Sequence, residues 1–564
     1  MIYKWKLSEQ GNHELISGLA AQLKVKEVVA RLLVQRGFDS PDKIKSFFYS
    51  SLQDQHDPFL MDGMDAAVKR VFKALERDEK ILIYGDYDVD GTTGAALLYM
   101  FFRNLGADVE YYLPDRLKEG YGISTTGIEF AEKNGFTLLI SVDCGVSSSR
   151  EIALALSKGI EAIVCDHHEV ELCPEAVAVL DPIKPGCGYP FKFLSGCGVA
   201  YKFAKGVSTK LDKPQLPDEY IDLVAIAAAA DVVPLTGENR VFVRSGFDAV
   251  ARRPRAGIKA LFQSSHIDHT KLTTGQVSFI IAPRINAVGR LGDAKRAVEL
   301  LVTDDEDVAE KFAQILEKEN LHRKMLDERT FNEARDMAST MLSSNSLVLH
   351  KDSWHAGVLG IVASRVVEAF YKPTIMLTTV DGVVRGSARS VVGYDIFAAI
   401  RECSDLLFQF GGHKFAAGLA LGPGNLQRFQ EMFERVVART ITEEMKTPVL
   451  AIDADLELTE LNDSLVEILK MFEPFGPHNT KPVFRTFGVH LSDARIVGSS
   501  HLKMKLKAGG VTFDAIKFRN GEITVKPGSK LDVVYSVDEN HYAGSVYYQL
   551  HVKDYKNSEK SFGG

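Results

Sequence analysis

Three carboxylates fall within five residues in the stretch Tyr84-Gly85-Asp86-Tyr87-Asp88-Val89-Asp90-Gly91. Like charges packed so closely repel one another, so the arrangement is costly unless a cation sits among them. Gly85 and Gly91 allow the backbone to turn tightly around such a site. An EF-hand is the obvious competing reading, but its ligand spacing and closing glutamate are absent. Three further segments repeat the design: Leu138–Val142 runs into Asp143, Ala162–Cys165 into Asp166-His167-His168, and Ala227–Ala230 into Asp231. Taken singly, each aspartate reads as a helix cap or a loop residue; four such segment ends in one stretch of chain point to a common site. Oxygen ligands joined by histidine suit Mn2+ or Mg2+. The six cysteines show no C-x-x-C spacing, so neither a zinc ribbon nor a dithiol redox site is suggested.

Apolar runs at Ile81–Tyr84, Val109–Leu113, Leu138–Val142 and Ala162–Cys165 read as strands, and helical stretches at Thr92–Arg103, Thr126–Lys133 and Ser148–Lys158 lie between them. That alternation predicts βαβ units and a mainly parallel sheet covered on both faces. In such sheets ligands collect beyond the C-terminal strand ends, which is where the acids stand. Upstream, residues 1–50 read as a helical segment, with Ser40-Pro41-Asp42 as a helix start. Residues 51–304 form the α/β unit with the acids. Residues 305–345 read as one long charged helix, with Val308, Phe312, Ile315 and Leu316 at helical spacing. A second, smaller α/β module follows over 346–447. Short alternating strands with Gly-rich turns over 448–556 predict an all-β barrel. The polar tail Asn557–Gly564 is expected to fray.

With 45% hydrophobic and 25% charged residues among 564, the chain has the balance of an ordinary globular protein and can bury several cores. The N-terminus carries charges where a secretory signal needs an unbroken apolar run, and no segment approaches the ~20 apolar residues of a membrane span. A cytoplasmic protein with reduced thiols and no membrane contact is expected. The net charge of −8 argues against a protein that is basic throughout, yet residues 481–564 hold 13 Lys+Arg against 8 Asp+Glu. Within them His501–Lys507 alternates, so Lys503, Lys505 and Lys507 share one strand face and Leu502, Met504 and Leu506 the other. The lysine face suits a phosphate backbone. Phe513, Phe518, Tyr542 and Tyr547 are either platforms for stacking bases or barrel core.

Asp166-His167-His168, taken with the aspartate-rich first motif, resembles the DHH phosphoesterase superfamily, and motifs along nearly the whole chain resemble its RecJ family. The resemblance implies a DHH domain, a bridging helix, a DHH-associated domain and a C-terminal oligonucleotide-binding (OB) barrel. It implies two divalent cations held by Asp88, Asp90, Asp143, His167 and Asp231, with Asp86 as a further ligand and Asp143 shared. Cations so placed lower the pKa of a bridging water and brace the attacking and leaving oxygens. Many members carry a histidine where this chain has Tyr84, so one metal shell must differ, and Asp86 is positioned to compensate. His168 is assigned to the layer behind the ligands or to the scissile phosphate.

The same resemblance suggests how a substrate is chosen. In Pro114–Gly122, Arg116 would clamp a phosphate and Tyr121 stack on a base. Pro283–Arg290 sets Arg284 and Arg290 around a turn near the cleft, with Asn286 between them. Segments containing His355, Arg385–Ser390 and Gly411–Gly418 look like the DHH-associated domain, whose Gly-Gly-His413 loop faces the metal site. Ser387 and Arg389 alternate on a strand and point the same way; with Arg290 they would hold a 5′-terminal phosphate. The implied activity is 5′→3′ hydrolysis of single-stranded DNA to 5′-mononucleotides in repair and recombination. The implied state is a monomer working with a RecQ-type helicase and a single-strand binding protein. Two other readings compete. One is a DHH enzyme acting on short RNA oligonucleotides or cyclic dinucleotides, usually a shorter chain without the barrel. The other is an inactive replication scaffold, which should have lost ligands that are present here.

Overall fold

Strands with no polar interruption are buried on both faces, which is what a parallel sheet under helices requires. A computed structural model describes residues 3–116, 118–498, 500–519, 523–542 and 545–558; of the tail expected to fray, residues 559–564 lie outside these. The buried runs Ile81–Gly85 (β1), Val109–Tyr112 (β2), Leu138–Val142 (β3), Glu161–Cys165 (β4) and Ala178–Leu180 (β5) pair in the order β2-β1-β3-β4-β5, all parallel. Helices Val89–Asn104 (α1), Thr125–Lys133 (α2), Ser149–Ser157 (α3), Gly196–Lys210 (α4) and Ile221–Ala230 (α5) follow the strands or pack on the sheet. Two apolar cores fill this part. One, around Ile83, Phe101, Ile140, Phe203 and Ile226, lies on one face; the other, around Leu82, Tyr84, Ile128 and Val164, lies on the opposite one.

The segment expected to turn at Pro283–Arg290 is instead helical, Ala282–Leu291 (α6), and is entered through a π-helical turn at Val277–Ile281. Pro283 follows this π-helical turn, whose wider turn breaks the regular hydrogen-bond ladder at the point where the proline lacks an N–H. Lys295–Val302 (α7) leads to the long helix Glu306–Ser339 (α8), whose buried stripe is Ala309, Ala313, Leu316, Asn320 and Arg323 before it reaches Thr330 and Ala334. Leu347–His350 (β6), Leu359–Phe370 (α9), Thr374–Val380 (β7), Val383–Arg389 (β8), Leu407–His413 (β9) and Ala416–Leu421 (β10) build a mixed sheet in the order β9-β10-β8-β7-β6. The Gly-Gly-His segment expected as a loop is thus the end of strand β9, paired with β10 from Gly411 to His413. Ser51–Lys446 form one compact unit.

The second unit joins the two ends of the chain, the segment up to Ser50 and the segment from Thr447. Strands Phe484–Val497, His501–Ala508, Val511–Lys517, Lys530–Tyr542 and Ser545–Asn557 pair into a sheet closed by Phe484–His490 against Lys530–Tyr535, the barrel expected here. Helices His13–Leu23, Glu27–Gln35 and Pro41–Tyr49 share its core, with Leu19, Leu33 and Phe47 beside Leu456, Phe472 and Val533. Lys4–Leu7 adds a parallel pairing with Val449–Ile452. Ser40 caps its helix as expected, accepting the Lys43 N–H. Among the described residues, no helix is long and apolar enough to cross a membrane.

Candidate active site

Each acid is placed by a strand end or a helix end. Beyond β1, Asp88 caps α1, and its carboxylate accepts the N–H groups of Asp90 and Gly91 at 2.9 and 3.2 Å. The turn needs glycine at 91, since a Cβ there would lie 2.5 Å from the Asp86 nitrogen. Asp90, in the first turn of α1, accepts N–H groups from Gly196 and, at 2.8 Å, Cys197 at the start of α4. Gly196 is equally constrained, because a Cβ would come within 2.6 Å of the Asp143 Cβ. Asp143 follows β3 with φ 61°, a left-handed backbone that costs an L-residue roughly 1–2 kcal/mol. Asp231 is the residue that closes α5.

These elements bring seven side chains together. His167 Nε2 lies 3.1 Å from Asp143 Oδ1, 3.6 Å from Asp231 Oδ2 and 3.7 Å from Asp90 Oδ2. Asp90, His167 and Asp231 each offer a ligand atom within 4.8 Å of the others, as do Asp86, Asp88 and Asp143, and again Asp143, His167 and His168. Asp143 therefore belongs to two groups. The charges are not compensated by protein. Burial, then the Asp88 charge, holds the Asp86 carboxyl well above the usual carboxylate range. Burial followed by Asp90 and Asp88 does the same to Asp143 and Asp231. Burial raises Asp90 and lowers His167. Asp86 Oδ1 is buried without a hydrogen-bond partner among the described residues. An orphaned carboxylate oxygen in a nest of oxygen and imidazole donors fits a divalent cation pair.

Behind the cluster, Asp166 acts as the hub that positions the histidines. It is fully buried, accepts the N–H groups of Val146, His167 and His168, and lies 2.7 Å from His168 Nδ1. Burial opposes charge on both partners, yet their contact outweighs it, so His168 sits above and Asp166 below its ordinary value. Tyr121 donates to the Asp143 carbonyl at 3.1 Å or meets His168 Nδ1 at 3.2 Å, which ties the Pro114–Gly122 segment to the metal cluster. Tyr84 is fully buried in the other direction. Its hydroxyl receives the Ser124 N–H at 3.0 Å, so the residue that stands at the family's histidine position is turned into the core.

Three arginines gather next to the acids. The Arg116 guanidinium lies 5.0 Å above the Tyr87 ring. Arg290 donates to the Gly357 carbonyl at 3.3 Å, and burial, then repulsion from Arg116, pushes it down to about 10. Arg389 donates to Ser387 Oγ at 3.0 Å and to the Ala388 carbonyl at 2.8 Å; burial, then Arg116, lowers it too. Gly360 leaves the space above this pair, since a Cβ would fall 2.9 Å from an Arg389 nitrogen and 3.1 Å from Ser387 Oγ. Among the described residues, none of these arginines has a carboxylate within ion-pair distance. Such a set is suited to a phosphate.

Other expected residues are placed differently. Arg284 is 6% exposed, and its guanidinium is occupied by Glu317 of α8 and the Ile280 carbonyl, so it ties helices together and is not open to a substrate. Asn286 keeps a buried Oδ1 without a partner among the described residues. His355 Nδ1 accepts the Gly357 N–H and caps a short turn, while His413 is exposed and accepts the Phe415 N–H. In the barrel unit Lys503, Lys505 and Lys507 lie on the outer face with Leu502, Met504 and Leu506 buried, and Lys503 is 3.7 Å from Asp514. Phe518 and Tyr547 are about half exposed and Phe513 packs on the core; the Tyr542 side chain lies outside the described residues. Sequence reading missed Asn320 and Arg323. They bond each other at 3.0 Å inside the long helix, and the only signal was polar residues falling on its apolar stripe.

Residues 80–228 match the DHH family N-terminal domain, 343–439 the DHHA1 domain and 452–554 the RecJ OB domain. The single-stranded-DNA-specific exonuclease RecJ of Bacillus subtilis is 36% identical over 99% of this chain and 71% of its own length. The protein of the same name from Salmonella typhimurium is 32% identical over 93% of this chain and 95% of its own. The crystal structure of RecJ in complex with Mn2+ from Thermus thermophilus superimposes with a TM-score of 0.86 at 29% identity, covering 99% of this chain and 80% of that one. With three domains matched in order and relatives aligned over nearly the whole chain, the chain belongs to the RecJ family of the DHH phosphoesterases.

Proposed function

We propose that the protein hydrolyses single-stranded DNA from its 5′ end, releasing 5′-mononucleotides in repair and recombination. One observation carries the reading: ligand atoms from Asp86, Asp88, Asp90, Asp143, His167 and Asp231 fall in overlapping groups spanning no more than 4.8 Å. These residues would hold two divalent cations, Mn2+ or Mg2+, which when bound neutralise phosphate charge and acidify a water. Asp143 is the shared ligand. Asp166 directs the His168 imidazole through Nδ1 and holds the His167 backbone N–H, and His168 faces the scissile phosphate. Tyr121 holds the loop that positions Arg116. Asp231, at the end of an apolar helix, keeps its carboxylate in place without a flexible stem.

Polarity rests on the arginines. Arg389, Ser387 and Arg290, with Arg116 beside them, take the 5′-terminal phosphate and leave the next phosphodiester at the acids. The lysine face of the barrel binds the phosphate backbone of a single strand. Residues 51–304 serve as the DHH domain, 305–345 as the bridge, 346–447 as the DHH-associated domain and 448–556 as the DNA-binding barrel, with 1–50 as its helical support. The family resemblance supports a cytoplasmic monomer working with a RecQ-type helicase and a single-strand binding protein. The complete ligand set speaks against an inactive scaffold, and the barrel against an enzyme of cyclic dinucleotides. The test is digestion of single and double strands labelled at either end, with and without Mn2+. Release of the 5′ label alone, from single strands alone and only with metal, is expected; loss of the 3′ label first would reverse the assignment.

A further inference from the structure

The arginine group has a second side. A cavity of about 580 Å3 opens between residues 112–116 with 118–119 on one side and 289–296 on the other, and Arg116 and Arg290 form part of its wall. Both arginines also belong to the set proposed above for the 5′-phosphate, and Arg290 bonds the Gly357 carbonyl three residues before Gly360, the glycine against which Arg389 and Ser387 lie. The phosphate position is thus not closed on its outer side by apolar groups. It borders a hollow whose far wall adds Lys118, Lys295 and Arg296.

The hollow also contains acids, and most are already engaged. Asp115 pairs with Lys118 at 3.3 Å, and Glu119 is held by the Tyr112 hydroxyl at 2.9 Å and the Asp115 N–H at 2.8 Å. Asp293 accepts the Lys295 N–H at the start of α7. Lys295 Nζ lies over the Tyr112 and Phe130 rings at 5.5 and 5.9 Å. Among the described residues, no carboxylate lies within ion-pair distance of Arg116, Arg290, Lys295 or Arg296. Four cations thus border one cavity without an ion-pair partner, against the two carboxylates of Glu119 and Asp293, and the surplus of positive charge suits an anion.

We infer that this cavity binds polyphosphate, so that the enzyme accepts a strand whose 5′ end carries a triphosphate. The inference rests on the 5′-phosphate reading above. The α-phosphate takes the usual place at Arg389 and Ser387, and the two outer phosphates pass between Arg116 and Arg290 toward Lys295 and Arg296. The reaction is unchanged: water adds to phosphorus at the first internucleotide link, the P–O3′ bond breaks, and O3′ leaves with a proton. The first product is then a nucleoside triphosphate instead of a monophosphate. The same chemistry could be satisfied by a free nucleoside triphosphate lodged in the hollow.

The experiment compares single-stranded DNA oligonucleotides bearing a 5′-monophosphate or a 5′-triphosphate, digested by the full chain and by Lys295→Gln/Arg296→Gln, with products separated by anion exchange. Release of nucleoside triphosphate is expected, falling roughly 100-fold in the double variant as two charge-assisted contacts are lost, while the 5′-monophosphate strand is cut as before. A third arm adds free ATP to the 5′-monophosphate reaction. If the triphosphate strand resists but ATP inhibits the parent enzyme and not the variant, the cavity holds polyphosphate from free nucleotide. If the monophosphate strand is digested, yet no triphosphate product forms and ATP has no effect, the inference is overturned. Failure on both strands would instead count against the exonuclease reading itself.

Discussion

Within Ser51–Lys446 two clusters of like charge lie side by side, one acidic and one basic, and they are built by opposite means. The acids sit on short stems fixed by backbone. Asp88 and Asp90 accept N–H groups at the starts of α1 and α4, and Asp143 stands on a left-handed residue after β3. The arginines sit on long stems steered by carbonyl oxygens and by a ring: Gly357 for Arg290, Ala388 for Arg389 and Tyr87 for Arg116. Helix starts stabilise anions and carbonyls stabilise cations, so each cluster is held rigid without being neutralised. In the proposed reading each is completed by a partner of opposite sign, a metal in one case and a phosphate in the other. The difference teaches where tolerance to substitution should lie. Metal ligands need fixed positions, whereas a phosphate can be reached by several flexible donors.

The sharpest way to break the comparison is to remove the residue that links the two acidic groups. Asp143→Ala should lower Mn2+-dependent nucleotide release by more than roughly 100-fold, the upper range for losing a group that merely orients a ligand. Activity within a few-fold of the parent would remove Asp143 from the centre. On the basic side, Arg389→Ala should cost about tenfold on 5′-phosphorylated strands, the equivalent of one charge-assisted hydrogen bond, and little on 5′-hydroxyl strands. Equal losses on both would mean that Arg389 does not read the end.

A third test asks whether charge outside this unit follows the same rule. Lys503→Ala/Lys505→Ala/Lys507→Ala should weaken binding of long strands a few-fold and flatten its salt dependence, while sparing short oligonucleotides. An unchanged salt slope would make that strand face an ordinary solvated one. Substitution is the better tool than truncation, because the first 50 residues share the barrel's core.

The smallest effect concerns Asp181, which follows β5 at the same sheet edge but joins none of the ligand groups. Burial raises its carboxyl to about 6. A folded pKa raised in this way adds stability below the unfolded value, and that contribution is lost as pH rises through about 6. Asp181→Asn keeps the oxygen that accepts the Ile183 N–H and should flatten the dependence of melting temperature on pH between about 4 and 6. A parallel shift of the whole curve, with its shape retained, would assign that titration to another group. The comparison separates an acid that needs only a proton from five that need a cation.

Much of this was legible in the chain itself. The strands β1 to β4 and the helices between them were expected within a few residues, because apolar runs and helical spacing are local properties. The acids at segment ends pointed to one sheet edge for the same reason. The misread turn at Pro283–Arg290 shows the limit: a proline, a glycine and two arginines look like a loop, yet the π-helical turn at Val277–Ile281 lets the helix run on through Pro283 and pack on α8.

What the sequence by itself determined was the identity of the donors and the elements that carry them, since residue type and periodicity act over a few positions. Only the tertiary structure decided which charges are left over. Asp90 is held by N–H groups more than a hundred residues away, Arg284 is withdrawn by Glu317, and, among the described residues, Arg116, Arg290 and Arg389 have no carboxylate within ion-pair distance. It also decided that the two chain ends share one core. Burial and long-range pairing set the cost of a charge, and neither is written in any short stretch of chain.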